Sequence, residues 1–186
     1  MAKKSPLETR EKLLRTTAEF IAQNGASNLT LDTIAAASGV SKGGLLHHFP
    51  TKHALMQGLM AQIAQVFVTR LEQALTTEPE GTPGRWTRAY VTASFEYDPD
   101  ELQLTTAIAS VVTNEPALVA VLQQQFAWID ERIENDGLPA ARTTAIRLAC
   151  DGLWIAELLE LSTVNEPLRS GLRDELIRLT RHEVNP

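Results

Sequence analysis

The side chains in this 186-residue chain whose types most readily do chemistry are three of its four histidines, His47, His48 and His53, and its one cysteine, Cys150. Imidazoles and a thiolate can hold a metal. Here the histidine spacings of one and six residues put the rings poorly on a common helix face, and no cysteine is near them. Cys150 has no histidine close in sequence to activate it, which makes it a poor nucleophile. G-x-S-x-G, the P-loop, G-x-G-x-x-G and HExxH are all absent. The expectation is therefore a protein with no catalytic residues, no metal site and no cofactor. One cysteine cannot close an internal disulfide, which fits a reducing, cytoplasmic setting.

The histidines belong to a stretch with a clear local grammar, Leu29 to Leu55. Thr30 can cap a helix that carries Leu31, Ile34 and Ala35 on one face, because its hydroxyl accepts an orphan N–H of the first turn. Ser38-Gly39-Val40 ends that helix, glycine giving the backbone freedom that a sharp reversal needs. Ser41 caps a short helix from Lys42 to His47 or His48, and Thr51 caps another beginning at Lys52. A helix, a glycine-containing turn and a short helix make a helix-turn-helix. The short helix fits a major groove, N-terminus toward the DNA, where free N–H groups and the helix dipole favour a phosphate.

The string T-x-x-x-I-A-x-x-S-G-V-S-K-G-x-L-x-H-H-F-P-T-K-x-A-L, from Thr30 to Leu55, resembles the DNA-binding segment of the tetracycline-repressor (TetR) family of bacterial regulators. The resemblance extends more loosely back to Leu7, and beyond Leu75 it is architectural. It implies that Thr30, Thr33, Ser41, Lys42 and Lys52 hold the phosphate backbone of double-stranded DNA, with His47 in or beside the groove. The chain departs from the family at Gly44, where a hydroxyl residue is common, and at Leu46, where a tyrosine is common. Gly43 and Gly44 remove two side chains from the reading face and weaken the isolated helix by roughly 2 kcal/mol relative to alanines. A bare backbone can in exchange approach DNA closely, and specificity leans toward DNA shape.

Charge is distributed to match. Residues 1–53 hold seven basic and four acidic groups, leaving ten basic and nineteen acidic for the rest of a chain of net charge -6. A basic head on an acidic body suits DNA binding with the body kept off the phosphates. Residues 1–6 read as a flexible basic arm, so that Lys3, Lys4 and Arg10 would lie near the DNA backbone. The first helix runs from Leu7 to Gln23 and closes a three-helix core with Ile34, Val40, Leu45 and Phe49. A long helix from Lys52 to Thr76 carries the stripe Met56, Leu59, Met60, Ile63, Phe67, Leu71 and Leu75 and links head to body.

Five further helices follow: Trp86–Tyr97, Glu101–Thr113, Pro116–Asn135, Pro139–Leu161 and Pro167–His182, separated by Pro-, Asn- and Asp-rich breaks. No stretch alternates as a strand would, and none has an apolar run near 20 residues, so no membrane partner is expected. The expected fold is all-α with about nine helices: a helix-turn-helix domain over 1–53 and a helical effector-binding and dimerisation domain over 54–186. Pro139–Leu161 is apolar nearly all round, which predicts burial on both sides. With the last helix it would build a four-helix interface in a homodimer, the assembly that the resemblance also implies.

A small-molecule cavity in the body is implied by the resemblance as well. Phe67, Trp86, Tyr90, Phe126 and Trp154 are the residues expected to line it, since aromatics give an apolar wall with a polar tip. Asp151 and Glu157, on an otherwise apolar helix, would favour a cationic or hydrogen-bonding ligand. The function expected is a transcriptional regulator, a repressor that binds a palindromic operator as a dimer and is released by a small molecule. The alternative is a DNA-binding protein of the same fold controlled by a protein partner.

Overall fold

Helices at the start of the chain begin on hydroxyls. Ser5 Oγ accepts from the Glu8 amide at 3.2 Å while Glu8 Oε2 accepts from the Ser5 amide at 2.8 Å, a reciprocal cap that starts α1 (Pro6–Asn24). Thr30 and Thr33 exchange the same pair of bonds, both 3.1 Å, at the start of α2 (Leu31–Ser38). Gly39 ends α2 in the left-handed region, φ 64°, where only glycine sits without strain. Ser41 Oγ accepts from Gly44 N at 3.1 Å to open α3 (Lys42–His48). Thr51 Oγ1 accepts from Ala54 N at 3.0 Å to open α4 (Lys52–Thr77).

The computed structural model describes residues 5–96, 111, 116–159, 161 and 164–181. Beyond α4 it contains α5 (Arg85–Phe95), α6 (Val119–Glu134), α7 (Ala140–Leu158) and α8 (Leu168–Leu179), with short 3-10 helices at Ala26–Asn28 and Pro116–Leu118. Among the described residues there are eight α-helices and no strand, so the fold is all-α. The helix expected at Glu101–Thr113, apart from Val111, and the basic side chains Lys3 and Lys4 lie outside the described residues.

The described residues fall into two compact units, one drawn from 1–64 and 99–125, the other from 65–98 and 126–186. The first has one core: Leu13, Leu14 and Ile21 of α1, Ile34 of α2, Leu45 of α3, Phe49, and Leu55, Met56, Leu59 and Met60 of α4, all at most 3% exposed. Val111 and Leu118 complete it. Gly58 lies where a Cβ would stand 2.6 Å from Phe49 Cε1, so the ring packs directly on the α4 backbone.

In the second unit α5 has cores on two sides. Ala89 and Ala93 pack with Leu71 and Leu75 of α4 and Ile129 and Ile133 of α6, while Val91 packs with Ile146 and Cys150 of α7 and Leu176 of α8. The N-terminus of α5 has no side chain of its own to cap it. Asp136 does this from 49 residues away: it accepts from Trp86 N at 3.0 Å and from Thr87 N and Thr87 Oγ1 at 2.7 and 2.8 Å. Arg88, 6% exposed, pairs with Glu78 at 2.7 Å and donates to the Pro83 carbonyl at 2.8 Å, fixing the loop before α5.

α7 is covered on one side only within the single chain. Only its Thr143–Ile146–Cys150–Leu153 side is buried. Leu148, Ile155 and Leu159 are 63%, 45% and 50% exposed on this single chain, and Leu161 and Leu168 are more exposed still.

Candidate nucleic-acid interface and effector-site residues

The segment from Thr30 to His47 forms one exposed face of the first unit: Thr30, Asp32, Ser41, Lys42, Gly43, Leu46 and His47 are all open to solvent. Its hydroxyls are already engaged. Thr33 Oγ1 donates to the Thr30 carbonyl at 2.8 Å and Thr30 Oγ1 donates to Thr33 Oγ1 at 3.2 Å. A phosphate oxygen only accepts, so either hydroxyl must turn its proton from its present acceptor before it can donate to DNA, while its oxygen goes on capping the helix. Ser41 Oγ accepts from Gly44 N and keeps its proton for another partner.

The two lysines differ. Lys52 Nζ donates to the Ala26 carbonyl at 3.1 Å, tying the start of α4 to the turn after α1. Lys42 Nζ sits between both oxygens of Asp32, 2.8 and 3.1 Å away, in a pair that sequence reasoning misses because the partners stand ten residues apart on different helices. Arg10, expected near DNA, lies over the Phe49 ring at 5.4 Å. His47 is exposed, while His48 is half-buried and stacks edge-on against it at 5.3 Å. Among the described residues no group of three or more His, Cys, Asp and Glu is placed to hold a metal.

The glycines of α3 are unlike each other. A Cβ on Gly43 would meet nothing within 4 Å, so that backbone is open to an approaching surface. On Gly44 it would press on Val40 Cγ1 at 3.1 Å and Ser41 Oγ at 3.2 Å, so this position faces the turn.

In the second unit, Phe67 meets Tyr90 edge-on at 5.2 Å and Phe126 edge-on at 5.7 Å. Trp86 packs at the same core and meets Trp128 edge-on at 5.8 Å, with Arg132 over its ring. Trp154 stands apart on the outer side of α7, 38% exposed. The polar tip of the cluster is the Tyr90 hydroxyl, which donates to Asp151 Oδ1 at 2.5 Å. Arg147 pairs closely with Asp130 at 2.7 Å and reaches Asp151 only at 3.6 Å. Burial pushes the Asp151 carboxyl above its ordinary range, although the Tyr90 hydrogen bond and Arg147 oppose this. Burial and then the neighbouring Asp151 push the Tyr90 phenol up, so it stays a donor. Burial also raises the Cys150 thiol to about 12, which leaves it protonated and inert at neutral pH. Glu157 pairs with Arg169, whose guanidinium lies over Phe95 at 5.3 Å.

Comparison with known proteins assigns both ends of the chain. Residues 13–59 match the family described as bacterial regulatory proteins, tetR family, and residues 84–181 match the tetracyclin repressor-like C-terminal domain. Nucleoid occlusion factor SlmA of Vibrio campbellii is 28% identical over 149 residues, 79% of this chain and 74% of that protein. The HTH-type transcriptional regulator BetI of Escherichia coli O127:H6 is 26% identical over 187 residues, 93% of each chain. The multidrug binding protein EbrR, in its complex with malachite green, shares the fold with a TM-score of 0.69 at 20% identity, over 93% of this chain and 98% of that one. Family and fold are those of regulators, which are not enzymes. No helix among the described residues is long and apolar enough to cross a membrane. The chain belongs to the tetracycline-repressor (TetR) family of DNA-binding transcriptional regulators.

Proposed function

We propose that the protein is a cytoplasmic repressor that binds a palindromic operator as a homodimer and leaves it when a small molecule occupies the second unit. The observation that carries this reading is the Phe67–Tyr90–Phe126 cluster with Asp151 on its polar tip. Flat aromatic faces beside a carboxylate bound imperfectly by Arg147 suit an apolar ligand with a cationic or hydrogen-bonding group. Trp86 extends the apolar wall. The complex of EbrR with malachite green supports a small-molecule role for this fold.

DNA is met by the exposed α2–α3 face, through Thr30, Thr33, Ser41, Lys42 and Lys52, with the open backbone at Gly43 and the His47 ring nearest the groove. Two such faces about 34 Å apart match successive major grooves. α4, 26 residues and roughly 39 Å long, contributes residues to the cores of both units, so a ligand that shifts it alters that spacing. By linkage the ligand must bind the DNA-incompetent arrangement better, and DNA weakens the ligand by the same factor.

A second reading, a DNA-binding protein of the same fold that acts without a small-molecule effector, is favoured by the similarity to a protein named as a nucleoid occlusion factor. Binding to DNA flanking the protein's own gene, at two salt concentrations, separates the two. Tight, salt-sensitive binding at one palindrome supports the repressor. Weak binding indifferent to sequence overturns it in favour of the second reading.

A further inference from the structure

From Phe20 to Leu71 the chain contains a single carboxylate, Asp32. It stands on the exposed α2–α3 face and holds both its oxygens to Lys42 Nζ, at 2.8 and 3.1 Å. The side chains are 70% and 60% exposed, so water screens the pair and little desolvation holds it together. No other residue of that face carries a negative charge, and Asp32 is not among the residues that build the core beneath it. The first turn of a helix favours a carboxylate through the dipole, but that gain is available to any acid there and does not require reaching Lys42.

We propose that Asp32 is an affinity-tuning residue of the DNA interface: it holds the Lys42 ammonium in an internal pair and so weakens the phosphate-driven part of DNA binding. The inference rests on Lys42 as a phosphate contact. A phosphate that recruits Lys42 competes with Asp32 for the ammonium, and the carboxylate, released or still paired, then faces the polyanion. Both effects subtract from the electrostatic term that every duplex offers equally. Base-edge and shape contacts are untouched. An operator presents the same phosphates, so specific and non-specific affinity fall together and their ratio is kept, while the occupancy of bulk DNA is lowered.

The test uses the full chain and a labelled pool of random-sequence duplex DNA, with anisotropy read across a salt series. Asp32→Asn should bind the pool about two- to fivefold more tightly than wild type at low salt, the range of an exposed ion pair. In a Lys42→Gln background the same substitution should gain measurably less, because only long-range repulsion is left to remove. Equal gains in both backgrounds, or no gain at all, overturn the inference. Lys42→Gln alone should weaken binding and reduce the salt slope by about one. If it changes neither, Lys42 is not a phosphate contact, and both that reading and this inference fall. Melting temperatures confirm that the variants fold, and Asp32→Ser, which keeps a helix-starting side chain, repeats the measurement should Asp32→Asn unfold.

Discussion

Asp151 carries a titration whose sign can be worked out. Its folded carboxyl binds a proton more tightly than the ordinary 3.8, burial being the largest cause. Between the unfolded value and the raised folded one, the folded state holds more protons, so stability falls as pH rises through that window. Below the window the contribution is fully present, and above it the charged carboxylate stands at its full desolvation cost. Asp151→Asn removes this dependence while keeping an acceptor for Tyr90. In urea titrations, wild type should lose stability relative to Asp151→Asn as pH rises from about 4, and a constant difference would refute the raised value. The glycines give a second pair of outcomes. Gly43→Ala meets open space on a helix that needs propensity, so it should stabilise the head by about 0.5–1 kcal/mol. Gly58→Ala must push Phe49 and Leu14 aside and should destabilise by about 1–3 kcal/mol. Thermal melts of the two variants should move in opposite directions.

Helix ends separate what is legible in the sequence from what is not. The starts of α2, α3 and α4 can be read from Thr30, Ser41 and Thr51, because each hydroxyl reaches an amide three residues on. Gly39 can be read for the same reason, since its requirement is its own φ. α5 cannot. Its cap comes from Asp136, in a loop that the sequence marks only as Asn-Asp-Gly. The Lys42–Asp32 pair and the Phe49 contact with Gly58 are illegible likewise: they depend on which helix faces lie opposite, and no local pattern records that. The aromatics Phe67, Tyr90 and Phe126 can be picked out one by one, yet only the packing of α4, α5 and α6 brings their rings together. Asp136 accepts three hydrogen bonds and is buried, so Asp136→Ala leaves two amides at the start of α5 without partners. The expected loss is about 2–4 kcal/mol. Asp136→Asn keeps an acceptor oxygen and should cost less. Equal stability of wild type and Asp136→Ala in denaturant would show that water replaces the cap.

At the scale of the molecule the open question is what covers α7. Its periodicity puts apolar residues around nearly the whole helix, and from that alone both sides belong inside. The chain covers one side only, leaving Leu148, Trp154 and Ile155 of α7, with Leu159, Leu161 and Leu168 beyond its end, exposed by 38% or more. Gly152 and Gly171, where a Cβ would meet nothing within 4 Å, leave room for a close backbone. Contiguous apolar surface of this kind marks an interaction face, and a second copy is the occupant that a palindrome-reading dimer requires. In the dimer proposed above, two-fold symmetry would make each substitution on that face count twice, because both protomers would carry it. Ile155→Lys would bring two ammonium groups into a desolvated contact, a placement costly enough to separate the subunits. The expected outcome is a folded monomer by sedimentation, its helical content unchanged. Operator affinity should then fall by about 100-fold or more, since the second head no longer binds at a high effective concentration. Affinity for random duplex, which one head supplies through its phosphate contacts, should change far less. A variant that stays dimeric would assign the dimer to another surface. A monomer with undiminished operator affinity would break the link between pairing and recognition itself, because one head reads only one half-site.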